Sequence, residues 1–153
     1  MNRILLIITL LLTALAPMAA QNRCRDRQAM RREVEEFKLK FMAQEMDLKE
    51  DQQKKFFEVY RQMSDEKEKL FKETKALEKK LADSENATEA EYENVSKAIT
   101  AAKEKDAEIE KRYDEKFSQF LTSRQIFQMK SAEHKFREKM HEMRQKRRSE
   151  KRR

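Results

Sequence analysis

The sequence predicts an all-α protein of four helices with a long central antiparallel hairpin, and three observations predict it. The 153-residue chain has no Gly, one Pro and no Trp. Barrels, sandwiches, doubly wound sheets and phosphate loops use Gly where φ must be positive, so the lack of it disfavours them together. Charged residues make up 42% of the chain, and Ala, Glu, Lys, Gln, Met and Leu are abundant, as in long helices bathed in solvent. Apolar residues also recur at steps of three and four, the period of one helical face. They are too few for a thick core, which leaves a thin hairpin or an open bundle.

The first helix is expected over residues 27–46, with Met30, Val34, Phe37 and Phe41 on one face. The second spans 49–82, where Phe56, Met63, Leu70 and Leu77 stand seven apart and Tyr60, Thr74 and Leu81 fill a second stripe. The third, 89–120, carries Tyr92, Val95, Ile99, Ala102, Ile109, Tyr113 and Phe120 on the same plan. The fourth, 123–148, carries Ile126, Met129, Phe136, Met140 and Met143. Each stripe is a heptad-like seam with charge on the other faces. So thin a monomer leaves apolar stripes facing water, so homodimerisation is expected to complete it.

The hairpin register follows from the numbering. If the second and third helices fold back around residues 84–87, opposed residues have numbers adding to 172 or 173. Leu77 then meets Val95, Leu70 meets Ala102, and Tyr60 meets Tyr113. Lys67, the basic residue of one seam, falls opposite Asp106, the acidic residue of the other. This pair is expected to set register with little net gain in stability.

Helix starts carry their own signals. Thr122 is a good N-cap, Gln125 can reach back to its N–H, and Leu121 can pack on Ile126, which makes a capping box with a hydrophobic staple. Thr88 and Glu91 repeat the box for the third helix. The second helix begins Leu48-Lys49-Glu50-Asp51-Gln52, and Lys49 cannot cap, so Asp47 with Glu50 is expected to supply a shifted box.

Residues 1–20 have the layout of a secretory signal peptide: Arg3, an apolar run from Ile4 to Leu12, then Pro17 and Ala19-Ala20 before Gln21. Cleavage is expected after Ala20, which places the protein in the periplasm, although Met18 stands where a small residue is usual. An uncleaved anchor is the competing reading; the apolar run is short for a span. Residues 21–26 are read as a flexible N-terminus, 27–148 as the helical domain and 149–153 as a basic tail. Cys24, the single cysteine, is either a free thiol or a bridge between chains.

The element Leu-Thr-x-x-Gln at a helix start is complete at Leu121, Thr122 and Gln125 and degenerate at Leu48 and Gln52. Two copies in a small, exported, helical, Gly-poor chain resemble the LTxxQ family, which includes Spy- and CpxP-type periplasmic proteins and relatives linked to zinc, cobalt and nickel resistance. The likeness in helix pattern covers roughly residues 27–145. It implies an antiparallel homodimer with a cradle shape whose basic, partly apolar concave face binds unfolded proteins without ATP. The CpxP-like branch implies instead a regulator of an envelope sensor kinase, and the metal-resistance branch a metal-sensing domain. The five motif residues are expected to be structural.

An ATP-independent chaperone is therefore the leading expectation, with a metal- or stress-sensing regulator as the alternative. A basic surface draws in acidic unfolded chains, and Phe and Met add non-directional apolar contact. Phe37, Phe41, Met42 and Phe57 are the candidate client-binding residues, with core or dimer packing as the competing reading. His134, Glu138 and His141 share one helical face and are the candidate zinc or nickel ligands. The two His lie about 10 Å apart along the helix, too far for one ion without another segment. Otherwise no cofactor is expected. Seven of the ten residues from Arg144 to Arg153 are basic, which suits anionic lipid or acidic clients. The exposed carboxylates sit among lysines without the burial that tunes catalytic groups, so no enzyme is expected, and no recognition module for nucleic acid is present.

Overall fold

The computed structural model describes residues 16–152, with side chains for residues 25, 26 and 28–152. Residues 1–15 of the expected leader, the Cys24 side chain and Arg153 lie outside the described residues. Four helices follow in order: α1 Ala16–Glu45, α2 Glu50–Ala82, α3 Glu89–Phe117 and α4 Ser123–Glu150. Among the described residues there is no strand, and no helix is long and apolar enough to cross a membrane. Residues 21–26, expected to be flexible, are helical; with neither Gly nor Pro among them, nothing interrupts α1. Helix α3 ends three residues before its expected end, and α4 runs two residues further.

The chain divides into two compact units, residues 1–41 and 42–153. In the first, Leu39 is buried, whereas Met30, Val34 and Phe37 are exposed and Phe41 is half-buried. The apolar stripe marked by periodicity on this helix is thus largely solvent-facing. Apolar residues there are dense enough to draw two stripes, and periodicity alone does not choose between them. The second unit starts with Met42, Ala43 and Met46, all buried.

In the second unit α2 and α3 form the antiparallel hairpin. The Phe56 and Phe117 rings meet at 5.8 Å, and Lys67 Nζ lies 3.1 Å from Asp106 Oδ2. Both pairs fit the expected register. The buried residues of α2 are Phe56, Tyr60 and Met63, and those of α3 are Ile109, Tyr113 and Phe117. Helix α4 adds Met129, Ala132 and Phe136. From residue 64 to residue 108, no residue is buried. Two helices cannot enclose a side chain by themselves. Burial is complete only where further elements add walls, so the hairpin has a closed base and an open arm.

The α1–α2 junction shows how a Gly-free chain turns a corner. Asp47 takes φ +50°, its N–H donates to the Gln44 carbonyl at 3.1 Å, and the Leu48 N–H donates to the Ala43 carbonyl at 3.0 Å. These are the two bonds of a Schellman motif, with Asp in the left-handed position where Gly is usual. Asp47 therefore closes α1 and does not cap α2. The expected Asp47–Glu50 box is not formed, and Lys49 occupies the N-cap without a side-chain cap bond.

Candidate functional site

The two motif copies meet. At α4, the Thr122 N–H donates to Gln125 Oε1 at 3.0 Å, and the Gln125 N–H donates to Thr122 Oγ1 at 3.2 Å, closing the expected box. Thr88 and Glu91 do the same at α3 with 2.8 and 3.3 Å, and the bond from the Thr88 backbone N–H holds the Glu91 carboxyl below its ordinary value. At α2 half a box survives, because Gln52 Oε1 accepts from the Lys49 N–H at 3.3 Å. The two glutamine amides then pair. Gln125 Nε2 donates to Gln52 Oε1 at 3.2 Å, and Gln52 Nε2 donates to Gln125 Oε1 at 3.4 Å and to the Phe120 carbonyl at 3.2 Å. Leu48 and Leu121 are both buried. The motif is a structural clamp joining the starts of α2 and α4, made of half-buried amides whose bonding capacity is used on both sides.

A second tie runs from α2 to α4. The Tyr60 hydroxyl donates to Glu133 Oε1. Burial, reinforced by that carboxylate, holds the phenol far above its ordinary pKa, so it stays a neutral donor. Lys130–Asp114 and Lys135–Glu45, each at 2.5 Å, add ion pairs at the edge of the base. Partly exposed pairs of this kind contribute little individually.

Where base meets arm, charges cross the hairpin. Lys67 bonds Glu110 at 2.5 Å as well as Asp106, and Arg112 bonds Glu66 at 2.7 Å. Partial burial works against the Lys67 charge, but the hydrogen bonds to Glu110 and Asp106 outweigh it and hold the ammonium above its ordinary pKa. The Arg112 guanidinium holds the Glu66 carboxyl below its ordinary value.

Beyond this boundary the seam opens. Phe71 is 66% exposed, Tyr92 51% and Leu77 44%. A groove of about 360 Å³ has Leu70, Phe71, Thr74, Ile99 and Ala102 on its floor, with Lys67, Lys103 and Asp106 at its margins. A second groove of about 570 Å³ runs beside Leu70 and Ile109, between Lys69, Glu73, Lys105 and Arg112. The arm, residues 64–108, holds nine basic and thirteen acidic residues, a net charge of −4. Residues 123–153 hold twelve basic and four acidic, a net charge of +8. The arm thus carries open apolar surface at net negative charge, whereas the net positive charge lies on α4, which itself exposes Phe127 and Met143.

Of the four candidate client residues, Met42 is fully buried and belongs to the core. Phe57 is half-buried with its ring 6.0 Å from that of Phe56. Phe37, 45% exposed, and Phe41, half-buried, lie in the first unit, so the four are not shown as one surface. Sequence reasoning missed Phe71 and Phe127, the latter 73% exposed on α4. Their signal was legible: each is an aromatic directly after a seam residue, Phe71 after Leu70 and Phe127 after Ile126. His134, Glu138 and His141 are all exposed on α4, and His141 faces Gln145 at 3.5 Å. Among the described residues, no group of three His, Cys, Asp or Glu is placed to hold a metal ion.

Comparison with known proteins identifies no relative: no protein-family model, curated protein or solved structure matches the chain.

Proposed function

We propose that the protein is an exported, non-enzymatic, ATP-independent chaperone of the periplasm that holds unfolded or partly folded chains on the open arm of its α2–α3 hairpin. One observation carries this reading: a seam of aliphatic and aromatic side chains continues past the closed base and lies half-open to solvent, with Phe71, Leu77 and Tyr92 exposed. Apolar surface on so charged a chain lowers its free energy by contact with other apolar surface. Charged residues on the remaining faces of both helices keep the loaded protein soluble. The contact is non-directional and shape-tolerant, which suits clients of many sequences. Association of two copies would extend the same surface.

Because the arm is net acidic, apolar contact and not attraction of acidic clients is the main force in this reading. The test follows light scattering from a chemically denatured client with the purified protein, without nucleotide and with a chelator present, at low and high salt. Suppression near equimolar ratio that persists at high salt is expected. No suppression at several-fold excess would overturn the reading and favour a regulator acting on an envelope sensor kinase or a metal ion.

A further inference from the structure

Helix α4 continues to Glu150, and residues 141–152 are all exposed. At about 100° per residue, Arg137, Arg144, Arg147, Arg148, Lys151 and Arg152 fall within an arc of about 140°. The acidic residues of this stretch, Glu138, Glu142 and Glu150, fall outside that arc. The stripe runs about 22 Å along the helix. No carboxylate stands three or four positions from Arg144, Arg148, Lys151 or Arg152. Instead, Arg144–Arg148–Arg152 and Arg147–Lys151 place like charges at i,i+4, a spacing that weakens a helix. A cation in the last turn complements the helix dipole. That effect accounts for the final charges, but not for a stripe that starts four turns earlier and keeps to one side.

We propose that this stripe is a docking surface for the anionic phospholipid headgroups of a membrane. A row of cations on one side of a helix meets a plane of phosphates along its whole length, whereas a flexible acidic chain would gain nothing from one-sidedness. Five of the six residues are Arg, whose planar fork pairs with phosphate oxygens through two parallel bonds. Met140 is the sole apolar side chain within the arc, so the helix end lies on the headgroups and does not insert. The surface is distinct from the arm and does not depend on the chaperone reading.

The test is co-sedimentation of the full protein with vesicles, either wholly zwitterionic or about one-third anionic phospholipid. Binding is expected to the anionic vesicles alone and to fall steeply with salt. At about 1 kcal/mol per basic residue near the surface, R148Q/R152Q lowers affinity about thirtyfold. K139Q/K146Q removes the same charge from outside the stripe and costs less than about threefold. Circular dichroism confirms that both variants stay helical. Equal losses in the two variants, or no binding to anionic vesicles, would overturn the proposal. So would release of the protein by millimolar inorganic phosphate at constant ionic strength, which would indicate a site for the free anion. Binding to polyglutamate as tight as to vesicles would assign the stripe to acidic chains and equally overturn it.

Discussion

The base and the arm of the α2–α3 hairpin are written in the same heptad language and end in different states. Phe56, Met63, Leu70 and Leu77 are evenly spaced on α2, yet the first two are buried, Leu70 is half-buried and Leu77 is exposed. The cause is not local. At the base, α4 contributes Met129, Ala132 and Phe136 and the turns contribute Leu48 and Leu121, so side chains are walled on every side. Along the arm, residues 64–108, α2 and α3 pack on each other and no residue is buried. The same apolar pattern therefore builds a core where neighbours are supplied and an available surface where they are not.

The largest expected effect is at the base. Phe117→Ala removes a fully buried ring packed against Phe56 and should cost about 3–5 kcal/mol by chemical denaturation. Ile99→Ala, the same kind of truncation on the arm, should cost less than about 1.5 kcal/mol, because the side chain is half-open and leaves no sealed cavity. Equal costs would mean that the arm is as closed as the base.

Next in size is the glutamine clamp. Gln125→Ala removes both the reach-back to Thr122 and the amide pair with Gln52 and should cost about 1–2 kcal/mol. A Gln52→Ala/Gln125→Ala double mutant should cost less than the two singles together, since one interaction is lost twice. Strict additivity would show that the amide pair contributes nothing.

Alkaline pH separates the regions further. Tyr60 has its pKa raised by burial and by Glu133 above the ordinary value of 10.0. A raised folded-state pKa gives stability that is fully present below the unfolded value and is lost as pH rises above it. Stability at the base should therefore decline as pH climbs past about 10, and Tyr60→Phe should flatten that decline. An unchanged alkaline limb in the variant would show that the Tyr60–Glu133 tie is not formed in solution.

The smallest effect belongs to the boundary. Lys67→Met replaces the cation held by Asp106 and Glu110 and should change stability by less than about 1 kcal/mol. Its consequence should be register: hydrogen exchange in the arm should quicken while protection at the base stays the same. Uniform protection changes across both halves would contradict a local role.

Much of this fold was legible because its signals are short-range or arithmetic. Thr122 with Gln125 and Thr88 with Glu91 announce helix starts within four residues. The pairing of Lys67 with Asp106 follows once a turn is fixed near residue 85. On α1, Phe41 and Met42 are adjacent, and periodicity does not say which turns inward; the structure buries Met42 fully. Asp47 was read as a cap because Asp caps helices more often than it adopts positive φ. In a chain without Gly, the left-handed position falls to such a residue. The glutamine clamp and the open arm depend on which helices lie beside one another, information that no single window of sequence contains. The separation of charge between arm and α4 was present in the sequence and hidden by its sum, the modest +7 of the whole chain.

The open arm is tested most directly by comparing the wild type with a Phe71→Ser/Leu77→Ser/Tyr92→Ser variant in suppressing aggregation of a denatured client, with thermal melts run alongside. The variant is expected to melt within a few degrees of the wild type and to lose most of its suppression. Undiminished suppression by a stably folded variant would contradict the assignment of the open arm as the client surface.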